Sequence, residues 1–271
     1  MQRMNRVDIA GCGLEVLHVP GPAGAAQRAP IVFLHEGLGS VAMWRDWPTQ
    51  LCAASGRTGW VYSRRGYGAS DPVPDVRGEA RELAGQRQGR LQPDYMQHEA
   101  FDVLPLLLSG LGIEQEPVLL GHSDGASIAL LHASRHKVTA CIAMAPHVIV
   151  EDISIHAITL ARQAFESGDL RERLARYHAN VDCAFWQWND IWLSAAFRSF
   201  DIRDDCRRIR APLLVIQGLD DPYGTLRQID EIRPDAAPVT RCTLAHCGHS
   251  PQREQTAQAT RAVSDFLREL A

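Results

Sequence analysis

The residues best suited to do chemistry lie in the run 116–127, which reads EPVLLGHSDGAS. A short apolar strand ends here at Gly121, and a helix of small residues begins after Ser123. The pattern G-x-S-x-G is typical of a nucleophile elbow, a strained turn that exposes a serine hydroxyl. Gly121 and Gly125 are needed because a side chain at either position would collide with neighbouring backbone. Ser123 is therefore the predicted nucleophile of acyl transfer, and the Asp124 amide at the helix start points at the developing negative charge.

The elements around this elbow alternate between strand and helix, which indicates an α/β fold with a parallel sheet. The strands are short and apolar, as expected where a sheet is covered on both faces. After a starting hairpin (6–10 and 14–19), strands are predicted at 31–34, 60–62, 139–145, 212–217 and 239–244, besides the elbow strand. Helices are predicted at 94–111, 127–134 and 255–270.

One long segment, 147–209, interrupts the alternation. It lacks strand character but contains runs with helical periodicity at 155–167, 170–178 and 185–200, and many aromatic residues. We expect it to form a helical lid inserted into one core domain, which consists of residues 1–146 and 210–271. A second segment, 74–93, is polar and long for a connection, so we expect a surface loop or a short extra helix beside the site.

Composition limits the classes of partner and cofactor. The net charge is −4 and no basic tract occurs, which argues against nucleic acid and anionic lipid and favours a small-molecule substrate. No apolar run approaches the ~20 residues of a membrane span. Seven scattered cysteines without a C-x-x-C pair favour a reducing, cytoplasmic setting. Cys242, His246, Cys247 and His249 are too loosely spaced for a zinc site, so no metal or other cofactor is expected.

Four segments of the chain resemble the α/β-hydrolase superfamily, in that family's order. His35-Glu36-Gly37 resembles its oxyanion loop, and residues 65–70 (RGYGAS) resemble its R-G-x-G-x-S turn. Ser123 lies in its elbow, and residues 247–251 (CGHSP) are similar to the G-H-x-P loop that carries the histidine. The resemblance covers nearly the whole chain. It implies a mostly parallel eight-stranded sheet with helices on both faces and a helical lid.

The resemblance also implies a catalytic triad. His249 would be the base that activates Ser123, and a carboxylate would orient it. The run 217–222 (QGLDDP) offers Asp220 and Asp221, and the family's spacing matches Asp221. The backbone amides of Gly37 and Asp124 would form the oxyanion hole.

Two residues depart from the family's pattern and add carboxylates near the site. Glu36 stands where glycine is usual, and Asp124 stands where a bulky apolar residue is common. Each either caps or hydrogen-bonds a neighbouring loop, or steers a cationic or hydroxylated group of the substrate.

The residues that would set specificity are less defined. Trp186, Trp188 and Trp192 of the lid either line a substrate pocket or pack the lid on the core. Four arginines of the segment 74–93 either meet an anionic substrate such as a coenzyme A thioester or lie in solvent. They are Arg77, Arg81, Arg87 and Arg90.

The predicted function is a serine hydrolase of small carboxylic esters, lactones or thioesters that forms an acyl-enzyme on Ser123. Two alternatives stay open, because the fold supports several chemistries. One is hydrolysis of a carbon–carbon bond in ring-fission products. The other is a small-molecule receptor with little turnover, which would differ from an enzyme in its rate. A dinucleotide-binding oxidoreductase is disfavoured because no G-x-G-x-x-G follows an early strand.

Overall fold

A central sheet of eight strands organises the chain, whose computed structural model describes residues 3–83 and 85–270. The strand order is β1-β2-β4-β3-β7-β8-β9-β10, and a separate hairpin pairs β5 with β6. The strands β1 to β4 are Arg3–Ile9, Cys12–Val19, Ile31–Leu34 and Gly59–Tyr62. The strands β5 to β10 are Arg81–Leu83, Gln86–Gln88, Val118–His122, Ala140–Met144, Leu213–Gly218 and Val239–Leu244.

In this sheet β4, β3, β7, β8, β9 and β10 are parallel to one another. The remaining pairs, β1 with β2 and β2 with β4, are antiparallel. The carboxyl ends of β3, β7, β8 and β9 therefore lie along one edge. In an open α/β sheet this edge is where ligands bind. The mostly parallel eight-stranded sheet predicted from the resemblance is confirmed.

The apolar strands are buried on both faces, which explains why they read as continuous hydrophobic runs. In β3, Ile31 and Phe33 belong to one core and Val32 and Leu34 to the other. The side chains of a strand alternate between its faces, so every position of β3 must be apolar.

The helices cover both faces of the sheet. The helices α1 to α4 are Trp47–Ser55, Tyr95–His98, Leu104–Gly110 and Asp124–Arg135, and the π-helical segment Glu99–Val103 joins α2 to α3. The helices α5 to α8 are Asp152–Ser167, Leu170–Leu174, Val181–Trp192 and Arg203–Arg207. The helices α9 to α11 are Arg227–Asp230, Pro251–Glu254 and Thr256–Glu269. On one face α1 and α11 are joined by a 2.9 Å hydrogen bond from Trp47 Nε1 to Thr260 Oγ1.

The stretch from 147 to 209, predicted as a lid, contains α5 to α8 and a 3-10 turn, Ala195–Ser199. A bridge between Ile149 and Asp201 ties its two ends together. The third of its predicted helices lies earlier in the chain than the sequence indicated. The periodicity indicated 185–200, whereas α7 is Val181–Trp192, because Asn180 accepts a hydrogen bond from the Cys183 amide and caps the helix there.

Of the two alternatives for residues 74–93, a surface loop or a short extra helix, the helix is not what forms, because this segment contains the hairpin of β5 and β6. Arg81 pairs with Gln88, and Glu82 pairs with Arg87. These strands are three residues long and polar, so they carry no alternation of apolar and polar residues. The pattern on which strand prediction relies is absent.

Gln228 anchors the start of the segment 147–209 to the core. The side chain is fully buried. Its Oε1 accepts a 2.7 Å hydrogen bond from the Val148 amide, and its Nε2 donates to the Ile149 carbonyl (3.1 Å) and to Glu151 Oε2 (2.6 Å). These bonds fix the chain as it leaves β8.

Replacing Gln228 by leucine keeps the volume but leaves the buried Val148 amide without this acceptor. We expect Gln228→Leu to lower the free energy of unfolding by about 1 to 3 kcal/mol, because a buried donor then lacks its partner. Urea denaturation measures this loss. The control is Gln258→Leu on the exposed face of α11, and equal stability of the two variants would contradict the anchoring role.

Candidate active site

The elbow predicted from the sequence is formed between β7 and α4. Ser123 has φ 54° and ψ −120°, a strained conformation for a residue with a side chain, and its amide donates to the Met144 carbonyl of β8 at 2.9 Å. A Cβ atom on Gly121 would lie 2.1 Å from the Gly125 oxygen, and one on Gly125 would lie 2.1 Å from the Leu34 oxygen. Glycine is therefore required at both positions, as the motif predicted.

Ser123, His249 and Asp221 form a hydrogen-bonded chain. His249 Nε2 lies 2.9 Å from Ser123 Oγ, and His249 Nδ1 lies 2.8 Å from Asp221 Oδ2 and 3.0 Å from Oδ1. An ionised carboxylate only accepts, so the imidazole proton lies on Nδ1 and Nε2 is free to accept from the serine hydroxyl. The arrangement has the geometry that activates a serine nucleophile.

The structure distinguishes the two candidate acids. Asp221 is buried and contacts His249, whereas Asp220 is exposed. The Asp221 carboxylate also accepts from the Tyr223 amide (2.8 Å) and from Gln217 Nε2 (2.7 Å). Burial alone would raise the pKa of Asp221, but the bond and charge of His249 and the Tyr223 amide outweigh it and lower the pKa. The acid is held ionised towards the imidazole.

The two backbone amides predicted to form an oxyanion hole belong to different segments of the chain. Asp124 is the first residue of α4, where an amide has no partner within the helix. The Gly37 amide follows the end of β3 by three residues. Among the described residues, no hydrogen bond from either amide to another residue is observed. Both are thus available to a negatively charged oxygen.

The Asp124 carboxylate turns away from solvent into a polar cluster. Its Oδ2 accepts from the Tyr95 hydroxyl at 2.7 Å, and Trp192 Nε1 donates to that hydroxyl at 3.1 Å. Arg64 Nη1 lies 3.8 Å from the same carboxylate oxygen. Burial raises the pKa of Asp124, although Arg64 and Tyr95 oppose the shift. The side chain is therefore engaged by the core.

Glu36 lies beside His122 of the elbow. The distance from Glu36 Oε2 to His122 Nδ1 is 3.4 Å, and His122 Nε2 donates to the His249 carbonyl at 2.6 Å. Burial disfavours the charged Glu36, but the hydrogen bond and charge of His122 prevail and lower its pKa from 4.5 to about 2. Glu36 thus links the oxyanion loop to the elbow and to the loop that carries His249.

The three lid tryptophans lie in different surroundings. Trp188 covers Gly37, since a Cβ atom on that glycine would lie 2.1 Å from Trp188 Nε1. Trp192 is buried and binds Tyr95. Trp186 instead packs on other lid residues, and the Arg77 guanidinium lies 3.9 Å from its ring centre.

Sequence analysis missed His147 and Arg64. The His147 ring lies 5.7 Å from the His249 ring and 4.9 Å from that of Trp192. Burial lowers the pKa of His147 to about 3, so the ring is neutral. The signal available in the sequence was its position three residues after β8, on the same edge as Ser123.

A cavity of about 670 Å³ lies beside the hairpin of β5 and β6. Its walls include Arg64 and Tyr95, which also contact Asp124. Neither Ser123 nor His249 lines it. The cavity is therefore not lined by the predicted nucleophile or its base.

The four arginines of the segment 74–93 are engaged by their own chain. Arg77 donates to Asp190 at 2.8 Å, and Arg87 donates to Asp94 at 2.8 Å. Arg81 lies 3.7 Å from Asp75, and Arg90 donates to two backbone carbonyls. Three of the four therefore have a carboxylate partner, and Arg90 is held by backbone carbonyl oxygens, which do not neutralise its charge.

All seven cysteines are free thiols. Within residues 3–83 and 85–270, no three His, Cys, Asp or Glu side chains are grouped to hold a metal ion. Over the same residues, no helix combines the length and the apolar character that crossing a bilayer requires.

The comparison with known proteins agrees with the fold. Residues 31–263 match the alpha/beta hydrolase family. The chain belongs to this family. No curated protein matches this chain in a sequence search.

Several solved structures share its fold at low identity. Proline iminopeptidase of Mycobacterium smegmatis superposes with a TM-score of 0.71 at 17% identity, covering 99% of this chain and 98% of that one. The enol-lactonase of Burkholderia xenovorans gives 0.70 at 20% identity, with 97% and 100% covered. A thermophilic esterase of Thermogutta terrifontis gives 0.68 at 18% identity, with 99% of each chain covered. The superpositions show the same architecture.

The contact of Glu36 with His122 makes stability depend on pH. The pKa of Glu36 is about 2 in the folded protein and 4.5 ordinarily, so its stabilising effect is complete above about pH 4.5 and is lost as the pH falls towards 2. We expect Glu36→Gln to lower the free energy of unfolding by up to about 3 kcal/mol at pH 6 and by progressively less at lower pH.

Urea denaturation of both proteins between pH 3 and pH 6 measures this difference. Glu116→Gln, which alters an exposed carboxylate, is the control. A difference between wild type and Glu36→Gln that stays constant over this range would show that the Glu36 carboxylate gains nothing from its neighbours.

Proposed function

We propose that this alpha/beta hydrolase is a serine hydrolase that cleaves small carboxylic esters, lactones or thioesters through an acyl-enzyme on Ser123. The observation that carries the proposal is the chain of hydrogen bonds from Ser123 Oγ through His249 to Asp221, at 2.9 and 2.8 Å. The family membership and the enol-lactonase and esterase among its structural neighbours support a hydrolytic reaction.

In the acylation step, Ser123 Oγ attacks the carbonyl carbon of the substrate while His249 Nε2 takes the hydroxyl proton. The resulting oxyanion accepts from the amides of Gly37 and Asp124. As the tetrahedral intermediate collapses, His249 gives the proton to the leaving oxygen or sulfur. Asp221 stays ionised and stabilises the imidazolium throughout.

In the deacylation step, His249 removes a proton from water, which attacks the acyl carbon and releases the carboxylic acid. Ser123 regains its proton and the cycle closes. Ser123 is almost completely buried and Trp188 lies against Gly37, which favours small acyl groups. Seven free thiols support a reducing, cytoplasmic setting, and a small molecule is the proposed partner.

Reaction with a fluorophosphonate, followed by mapping of the modified peptide, tests the nucleophile. We expect stoichiometric labelling at Ser123 and turnover of p-nitrophenyl acetate. Ser123→Ala should fold normally, escape labelling and lose turnover on the order of a million-fold. His249→Ala should also abolish labelling, because the hydroxyl then lacks its base.

The control is Ser109→Ala, which removes an exposed hydroxyl from α3. Turnover by Ser123→Ala above a hundredth of the wild-type rate would contradict the triad. Binding of esters with turnover far below about 1 per second would favour a receptor over an enzyme. Cleavage of ring-fission ketones in preference to esters would instead favour the carbon–carbon hydrolase.

A further inference from the structure

The peptide bond between Glu36 and Gly37 has an unusual environment. Its carbonyl oxygen lies 2.6 Å from His35 Nδ1, 2.9 Å from Arg64 Nη2 and 3.0 Å from the Gly39 amide nitrogen. A carbonyl oxygen has two lone pairs, so three donors exceed its usual complement. The carbonyl of this peptide is therefore strongly polarised.

The tautomer of His35 follows from its partners. Its Nε2 accepts from the Arg64 backbone amide at 3.0 Å, so the proton lies on Nδ1, which donates to the Glu36 carbonyl. Burial, and then the charge of Arg64, hold the pKa of His35 well below its ordinary value, so this ring is a neutral donor. The charged donor of the three is thus Arg64, and charge-assisted bonds are the stronger ones.

Polarising a peptide carbonyl strengthens the N–H of the same peptide as a donor. The peptide unit is conjugated, so positive charge placed at its oxygen draws electron density from its nitrogen. The N–H in question is that of Gly37, one of the two amides assigned to the oxyanion hole. Arg64 therefore acts on the oxyanion site through one peptide unit, without contacting the substrate.

Arg64 also contacts the residue that carries the other amide. Its Nη1 lies 3.8 Å from Asp124 Oδ2, and the guanidinium is almost completely buried. The guanidinium thus spans the loop after β3 and the start of α4. The two donors come from separate segments, and Arg64 is a side chain that contacts both segments.

We propose that Arg64 is a positioning residue of the oxyanion hole, which polarises the Glu36–Gly37 peptide and holds the Gly37 and Asp124 amides in register. This inference rests on the proposed serine hydrolase function. A purely structural role for Arg64 would leave the rate of the chemical step unchanged. The proposed role lowers the energy of the transition state, where the oxyanion exists, and leaves substrate binding unchanged.

The test compares Arg64→Gln and Arg64→Lys with wild type. We expect Arg64→Gln to lower kcat for p-nitrophenyl acetate roughly 10- to 100-fold, less than the loss of a whole oxyanion donor, with KM changed by less than about twofold. Affinity for a phenylboronic acid, which forms a tetrahedral adduct on serine, should fall by the same factor. Arg64→Lys keeps the charge and should restore part of both losses.

Arg57→Gln is the matched control, since Arg57 is an equally buried arginine that donates to the Ala29 carbonyl away from the site. It should lose stability without losing boronic acid affinity. Unchanged kcat in folded Arg64→Gln, or an effect on KM alone, would overturn the proposal.

Arg64→Gln leaves the buried Asp124 carboxylate without its counter-ion, which itself endangers folding. The second comparison is therefore Arg64→Gln/Asp124→Asn against Asp124→Asn alone, in which removing Arg64 no longer leaves an unpaired charge at position 124. The double variant should show the lower kcat by the same roughly 10- to 100-fold factor, and equal kcat would overturn the proposal.

The two proposals fail in different ways. A wild-type protein that neither reacts with fluorophosphonate nor turns over esters contradicts the serine hydrolase itself. A wild type that does both, with Arg64 variants that match it in kcat and boronic acid affinity, overturns only the role of Arg64.

Discussion

The close approach of three backbone segments at the elbow is the constraint on which the rest of the site depends. Gly125 lies against the Leu34 carbonyl and Gly121 lies against Gly125, so β3, β7 and α4 meet without any intervening side chain. The loop that begins after Leu34 is thereby placed beside Ser123. These two contacts thus hold Ser123 and the Gly37 amide in a fixed relation, and the sheet holds the strained conformation of Ser123.

Buried charged side chains then hold the remaining loops against this elbow. Glu36 faces His122, and Asp124 faces Arg64, so each carboxylate near the site has a basic neighbour. Burying an unpaired charge costs several kcal/mol, and a buried pair adds little net stability. The pairs are therefore better understood as devices that fix loop positions. This explains how two acidic departures from the family pattern are accommodated beside Ser123.

Much of the fold followed from the sequence, because strands buried on both faces are largely apolar, as β3, β7, β8 and β9 are apart from His122 and Gln217 near two strand ends. The hairpin of β5 and β6 did not follow, since its short strands are mostly polar and lack an apolar face. Within the site, the elbow and the loop of His249 were visible as motifs. His147 and Arg64 were not, because their contacts come from strand order, which brings the ends of β3, β4, β7 and β8 together. The choice between Asp220 and Asp221 depends on which side chain is buried and which one points at His249. The sequence does not show this for two adjacent residues of a turn.

The π-helical segment Glu99–Val103 has an evolutionary consequence. A π turn holds one residue more than the α turn it replaces, and each residue of an α-helix advances it by about 100°. Deleting one residue from this segment would restore a regular helix, but it would rotate everything before it by that angle. Tyr95 would then swing away from Asp124, whose carboxylate it now binds. We therefore expect functional homologues to lack single-residue deletions in this helix, even though a helix one residue shorter could still form and remain amphipathic.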